Sequence, residues 1–68
     1  MKVMLDKGLD ELSDNYKEIL ILFYLEELSY KEIADILRIP TGTVGIRLKR
    51  AKEALKKAYK KLGLTYEQ

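Results

Sequence analysis

The chain contains no cysteine, no histidine and no tryptophan, and only one proline and one phenylalanine in 68 residues. Without cysteine there is no disulfide or thiolate metal site to staple a chain this short, so the fold must rest on packing alone. Without histidine the usual general base and the commonest metal ligand are both missing. Long hydrophobic runs are absent too. The longest covers residues 19–25, far short of the roughly 20 residues that span a bilayer. Asp6, Asp10 and Glu11 break up the apolar character a signal peptide needs. These absences leave one small all-α domain spanning 1–68, expected to be soluble and cytoplasmic. No catalytic role and no cofactor are expected, and Asp10, Glu11 and Asp14 read better as helix-start and surface residues than as a carboxylate site.

What the chain does have is a charge asymmetry. The net charge is only +2, yet residues 1–46 carry five Lys/Arg against nine Asp/Glu. Residues 47–61 carry Arg47, Lys49, Arg50, Lys52, Lys56, Lys57, Lys60 and Lys61 against Glu53 alone, a balance of +7. A basic segment on an acidic body is a footprint for a polyanion. The plainer reading is a solvated helix face with lysines near its C-terminus, where they suit the helix dipole.

Apolar spacing predicts four helices and no strands. The first, over 2–11, places Met1, Leu5, Leu9 and Leu12 three or four apart and is weakened by Gly8. The second, over 14–26, starts behind Ser13 as a cap and is apolar nearly all round, so its neighbours need not cover it completely. The third opens on Ser29 and Glu32, an S-x-x-E capping box, with Leu28 and Ile33 in the flanking staple positions. Ile33, Ile36 and Leu37 form its expected core face, and Pro40 ends it near Leu37 or Arg38. Thr41 is placed to cap the fourth helix. Val44, Leu48, Ala51, Leu55, Ala58 and Leu62 make one apolar seam along that helix, Gly63 is its terminating glycine, and Leu64 is placed to fold back on Tyr59. Residues from about 65 onward form a frayed tail. A capped helix, a tight turn and a helix that becomes basic from Arg47 have the layout of a helix-turn-helix.

Between residues 9 and 62 the chain resembles region 4 of a bacterial sigma factor, most similar to the extracytoplasmic-function type. The resemblance rests on Leu12 before Tyr16-Lys17-Glu18-Ile19-Leu20, and on Tyr24-Leu25-Glu26-Glu27-Leu28-Ser29-Tyr30-Lys31-Glu32-Ile33-Ala34. It continues through Ile39-Pro40-Thr41-Gly42-Thr43-Val44 and Arg47-Leu48-Lys49-Arg50-Ala51-Lys52. It implies a long basic C-terminal recognition helix that binds the −35 element of a promoter in double-stranded DNA, and a second surface that docks on the RNA polymerase β flap or an anti-sigma factor.

Matched to the family pattern, Thr43, Ile46, Arg47 and Arg50 are the expected base contacts. A guanidinium grips guanine at two points, and Ile46 meets a thymine methyl group. Tyr30, Lys31, Thr41, Lys49 and Lys52 are the expected phosphate contacts, with Thr41 better suited to capping. Leu22, Phe23, Leu25 and Glu26 are the expected partner surface, and Tyr16 and Tyr24 are core or partner contacts. Lys56, Lys57, Lys60 and Lys61 lie roughly 20 Å along the helix from the groove and add only general attraction. Three positions depart from the pattern: Gly45 and Ile46 replace the usual Lys-Ser, and Arg38 takes the turn position commonly held by glycine. The promoter-melting part of a sigma factor has no counterpart in these residues. The rival reading is therefore a sigma-like interaction module that binds the β flap or an anti-sigma protein without reading DNA.

Overall fold

A computed structural model describes residues 8–63, and every regular element among them is helical. Helix α1 (Asp14–Leu20) runs directly into a π-helical turn (Ile21–Leu25). Helix α2 (Tyr30–Leu37) and the 21-residue helix α3 (Thr41–Lys61) follow. Three helices are thus described rather than the four expected. The expected first helix lies mostly outside the described residues, of which Gly8 and Leu9 are helical. The chain then leaves the helix through tight turns, with the Glu11 amide on the Gly8 carbonyl at 3.2 Å and the Leu12 amide on the Leu9 carbonyl at 3.0 Å.

The seam on α3 organises the core. Val44, Leu48, Ala51, Leu55 and Ala58 are all buried, as their spacing predicts. Ile19 and Leu20 of α1 and Ile33 and Ala34 of α2 close over them, with Leu9 from the preceding segment. At about 1.5 Å per residue α3 is about 32 Å long, close to the 35 Å long axis of the molecule. The shorter helices both pack against it. Leu62 is the exception in the seam, exposed, while Tyr59 is buried in its place. Gly63 ends the helix with φ +76°, its amide donating to the Lys60 carbonyl. Leu64, expected to fold back there, lies outside the described residues.

Three local expectations need correction. The segment 14–26 is not one α-helix: the Glu26 amide reaches back five residues to the Ile21 carbonyl at 3.0 Å, and the Leu28 amide reaches Leu22 at 3.1 Å. This underwinding turns the following side chains off the α-helical stripe, so Tyr24 and Leu25 emerge on the surface. Ile36 is not core either. It is 54% exposed: Ile33 and Ala34 are the buried residues of α2, with Leu37 half-buried beside them. Thr41 does not cap α3. Pro40 holds the cap position in extended conformation and makes no side-chain bond there, which leaves Thr41 as the first helical residue. Ser13 does stand at the cap of α1, but its hydroxyl makes no capping bond.

Candidate nucleic-acid interface

The start of α2 is fixed by reciprocal hydrogen bonds. The Ser29 amide donates to Glu32 Oε1 at 2.8 Å, and the Glu32 amide donates to Ser29 Oγ at 3.1 Å. The Ser29 amide, and after it the Ser29 hydroxyl, holds the Glu32 carboxyl below its ordinary pKa. A charge-assisted bond to the ionised form has that effect. The capping box read from the sequence is therefore formed, with Ile33 fully buried and Leu28 half-buried beside it.

The turn from α2 to α3 is equally defined. Arg38 takes the left-handed conformation with φ 57° and ψ 49°. The Ile39 amide then reaches back to the Ala34 carbonyl at 3.1 Å, which is the long bond of a Schellman motif. Ile39 packs against the core, and Pro40 launches α3 with its carbonyl accepting from the Thr43 and Val44 amides. Left-handed geometry costs a non-glycine residue about 1–2 kcal/mol, a cost offset here by the buried contacts on both sides of the turn.

On α3 the expected contact residues separate into two rows. Thr43, Ile46, Arg47 and Arg50 follow the i, i+3, i+4, i+7 spacing and share one face. Ile46 is 57% exposed, Arg50 is exposed, and Thr43 and Arg47 are half-buried. Gly45, Lys49, Lys52 and Lys56, spaced i, i+4, i+7, i+11, form the second row. Helical spacing thus groups the four expected base-contacting residues on one face and sets them apart from Lys49 and Lys52.

The second row is bordered by aromatic rings. Phe23 meets Tyr24 edge-to-face at 5.0 Å between centroids and Tyr30 at 6.0 Å. The Tyr30 ring lies beside Gly45, with Cε2 3.5 Å from where a β-carbon would sit. The Lys52 ammonium sits over Phe23 at 5.0 Å from its centroid and 5.8 Å from that of Tyr24. Cation–π contacts of this kind contribute about 0.5–1 kcal/mol at exposed sites. Lys49 stands exposed one turn earlier, and Lys31 and Thr41 are also exposed.

Of the expected partner surface, Leu22 and Phe23 are half-buried against the core, whereas Leu25 and Glu26 are exposed. Tyr16 packs against the core. Tyr24, exposed beside Leu25, belongs to the same patch. A shallow groove lined by Asp14, Lys17, Glu18, Ile21 and Leu22 extends it along α1. Of these residues only Leu22 was expected at the partner surface; the apolar run at 19–25 was the available signal for Ile21. Among the described residues no group of acidic side chains is placed to hold a metal ion, and no helix is long and apolar enough to cross a membrane.

The fold and this site define a helix-turn-helix domain whose second helix is basic along its exposed sides. The chain belongs to the family described as Sigma-70, region 4, whose model matches residues 2–55. It is 46% identical over 52 residues to the ECF RNA polymerase sigma factor SigW of Bacillus subtilis, covering 76% of this chain and 28% of that protein. Likewise it is 42% identical over 59 residues to the ECF RNA polymerase sigma factor SigM of the same organism, covering 87% and 36%. The RNA polymerase sigma-H factor of Pseudomonas aeruginosa is 39% identical over 54 residues, covering 79% and 28%. The chain therefore spans about a third or less of the length of these relatives.

Proposed function

We propose that this domain binds the −35 element of a promoter through the first turns of α3 and docks on RNA polymerase during transcription initiation. The observation that carries the proposal is the shared face of Thr43, Ile46, Arg47 and Arg50, directly behind the turn that holds α3 against α2. Membership of the sigma region 4 family supports it. In this reading Arg47 and Arg50 grip base edges, and Ile46 and Thr43 contact methyl groups. Lys49, Lys31 and the Tyr30 hydroxyl bind phosphates on either side. Leu22, Phe23, Leu25 and Glu26 meet the β flap, with an anti-sigma factor competing for the same surface. The domain acts by binding and carries out no chemistry.

Titration against −35-type and scrambled duplexes tests this. A preference of ten-fold or more corresponds to about 1.4 kcal/mol and supports base readout. Equal, steeply salt-dependent binding to both means phosphate attraction alone.

A second reading has its own observation. Gly45 offers no side chain to a phosphate in the row it shares with Lys49, and the exposed Tyr24 and Leu25 sit beside half-buried Phe23. Both features fit a sigma-like module that binds the β flap or an anti-sigma protein without reading DNA. Under that reading an Arg47→Ala, Arg50→Ala double variant keeps its protein partner and loses nothing at DNA.

A further inference from the structure

We infer that Phe23 and Tyr24 withhold Lys52 from DNA, so that this lysine is a latent phosphate contact rather than an engaged one. The inference rests on the DNA-binding reading above and deepens it. By spacing alone Lys52 belongs to the same row as Lys49, one turn further along α3, and both are candidates for the phosphate backbone. Their surroundings differ. Lys49 is exposed, whereas Lys52 is half-buried with its ammonium over the Phe23 ring at 5.0 Å and near the Tyr24 ring at 5.8 Å.

Those rings are held in place from several directions. Phe23 packs edge-to-face on both Tyr24 and Tyr30 and against the hydrophobic core, and the π-helical turn presents the two neighbouring rings to α3. To reach a phosphate, the ammonium must leave the negative faces of two rings and the lysine stem must leave apolar surface. The aromatic turn therefore sets how much positive charge α3 offers to DNA. Lys52 acts as a tether between the turn and the helix.

The readout is the slope of log affinity against log salt, which changes by about 0.9 per phosphate contact on duplex DNA. Lys52→Ala is expected to leave the slope unchanged, while Lys49→Ala lowers it by about 0.9. The double variant Phe23→Leu, Tyr24→Ser is expected to steepen the slope by about the same amount and to bind scrambled duplex more tightly at low salt. Adding Lys52→Ala to that variant should cancel the gain. Because Phe23 also packs on the core, folding is checked by circular dichroism; if the double variant does not fold, Tyr24→Ser alone, which leaves the nearer ring, is expected to steepen the slope by a fraction of that amount. A slope lowered by Lys52→Ala as much as by Lys49→Ala overturns the inference, as does an unchanged slope once the rings are removed. A DNA-independent arm separates this from failure of the DNA reading: the Lys52 Hε protons of the free protein should show upfield ring-current shifts that vanish without the two rings. If the wild-type domain binds no duplex, the DNA reading falls and the withheld contact with it. The ring-current shifts then still decide whether the tether exists.

Discussion

Gly8 lies so close beneath Tyr59 that a β-carbon on it would stand 2.9 Å from Tyr59 Cδ1 and 2.7 Å from Leu55 Cδ1. The glycine is what lets the N-terminal segment approach the end of α3, and Tyr59 is buried there while Leu62 is left exposed. Helix propensity alone argues for replacing Gly8 with alanine, a gain of up to about 1 kcal/mol. The packing reverses the sign. Gly8→Ala is expected to destabilise the domain by about 1–3 kcal/mol, the usual cost of overpacking, and to lower Tm in thermal melts.

Gly45 is the opposite case. The nearest atom to its missing β-carbon is Tyr30 Cε2 at 3.5 Å, an ordinary contact. Gly45→Ala therefore fits, and should stabilise α3 by about 0.8–1 kcal/mol. For a domain of this size that raises Tm by roughly 4–8 °C. A lower Tm would show that the Tyr30 ring cannot give way.

The capping box sets a third expectation. Ser29→Ala removes one reciprocal bond and should cost about 1 kcal/mol of stability. Glu32 adds a pH dependence of known sign. Its folded pKa is depressed, so its contribution is complete above the ordinary carboxylate range and is lost as pH falls through the folded value. Ser29→Ala keeps the amide bond to that carboxylate, so the variant that isolates this term is Glu32→Gln, whose melts should converge with those of wild type as the pH is lowered.

At the turn, Arg38→Gly removes the left-handed strain of about 1–2 kcal/mol and restores backbone freedom worth about 0.5–1 kcal/mol to the unfolded chain. The expected net effect in chemical denaturation is a gain of up to about 1.5 kcal/mol.

The elements most legible in the sequence are those specified by local chemistry. Ser29 and Glu32 state their own hydrogen bonds, Pro40 marks its own break, and the spacing from Val44 to Ala58 states which side of α3 is buried. Left-handed Arg38 was also readable, because the position calls for glycine. What could not be read depends on through-space fit. Gly8 looked like a weakness because its partner, Tyr59, is 51 positions away. The π-helical turn leaves no trace in a run such as Ile21-Leu22-Phe23-Tyr24-Leu25, where either hydrogen-bonding pattern suits the residues. Lys52 looked like any other lysine of the basic helix until the rings of Phe23 and Tyr24 were placed beside it.

The most direct test of the account is the discrimination between −35-type and scrambled duplexes, measured for wild type and for Arg47→Ala, Arg50→Ala at matched salt. The double variant should melt like wild type, since Arg50 is exposed and Arg47 only half-buried. The account predicts at least ten-fold discrimination by wild type, reduced to near unity in the variant. Discrimination that survives the double substitution, or is absent in wild type, contradicts base readout by this face of α3.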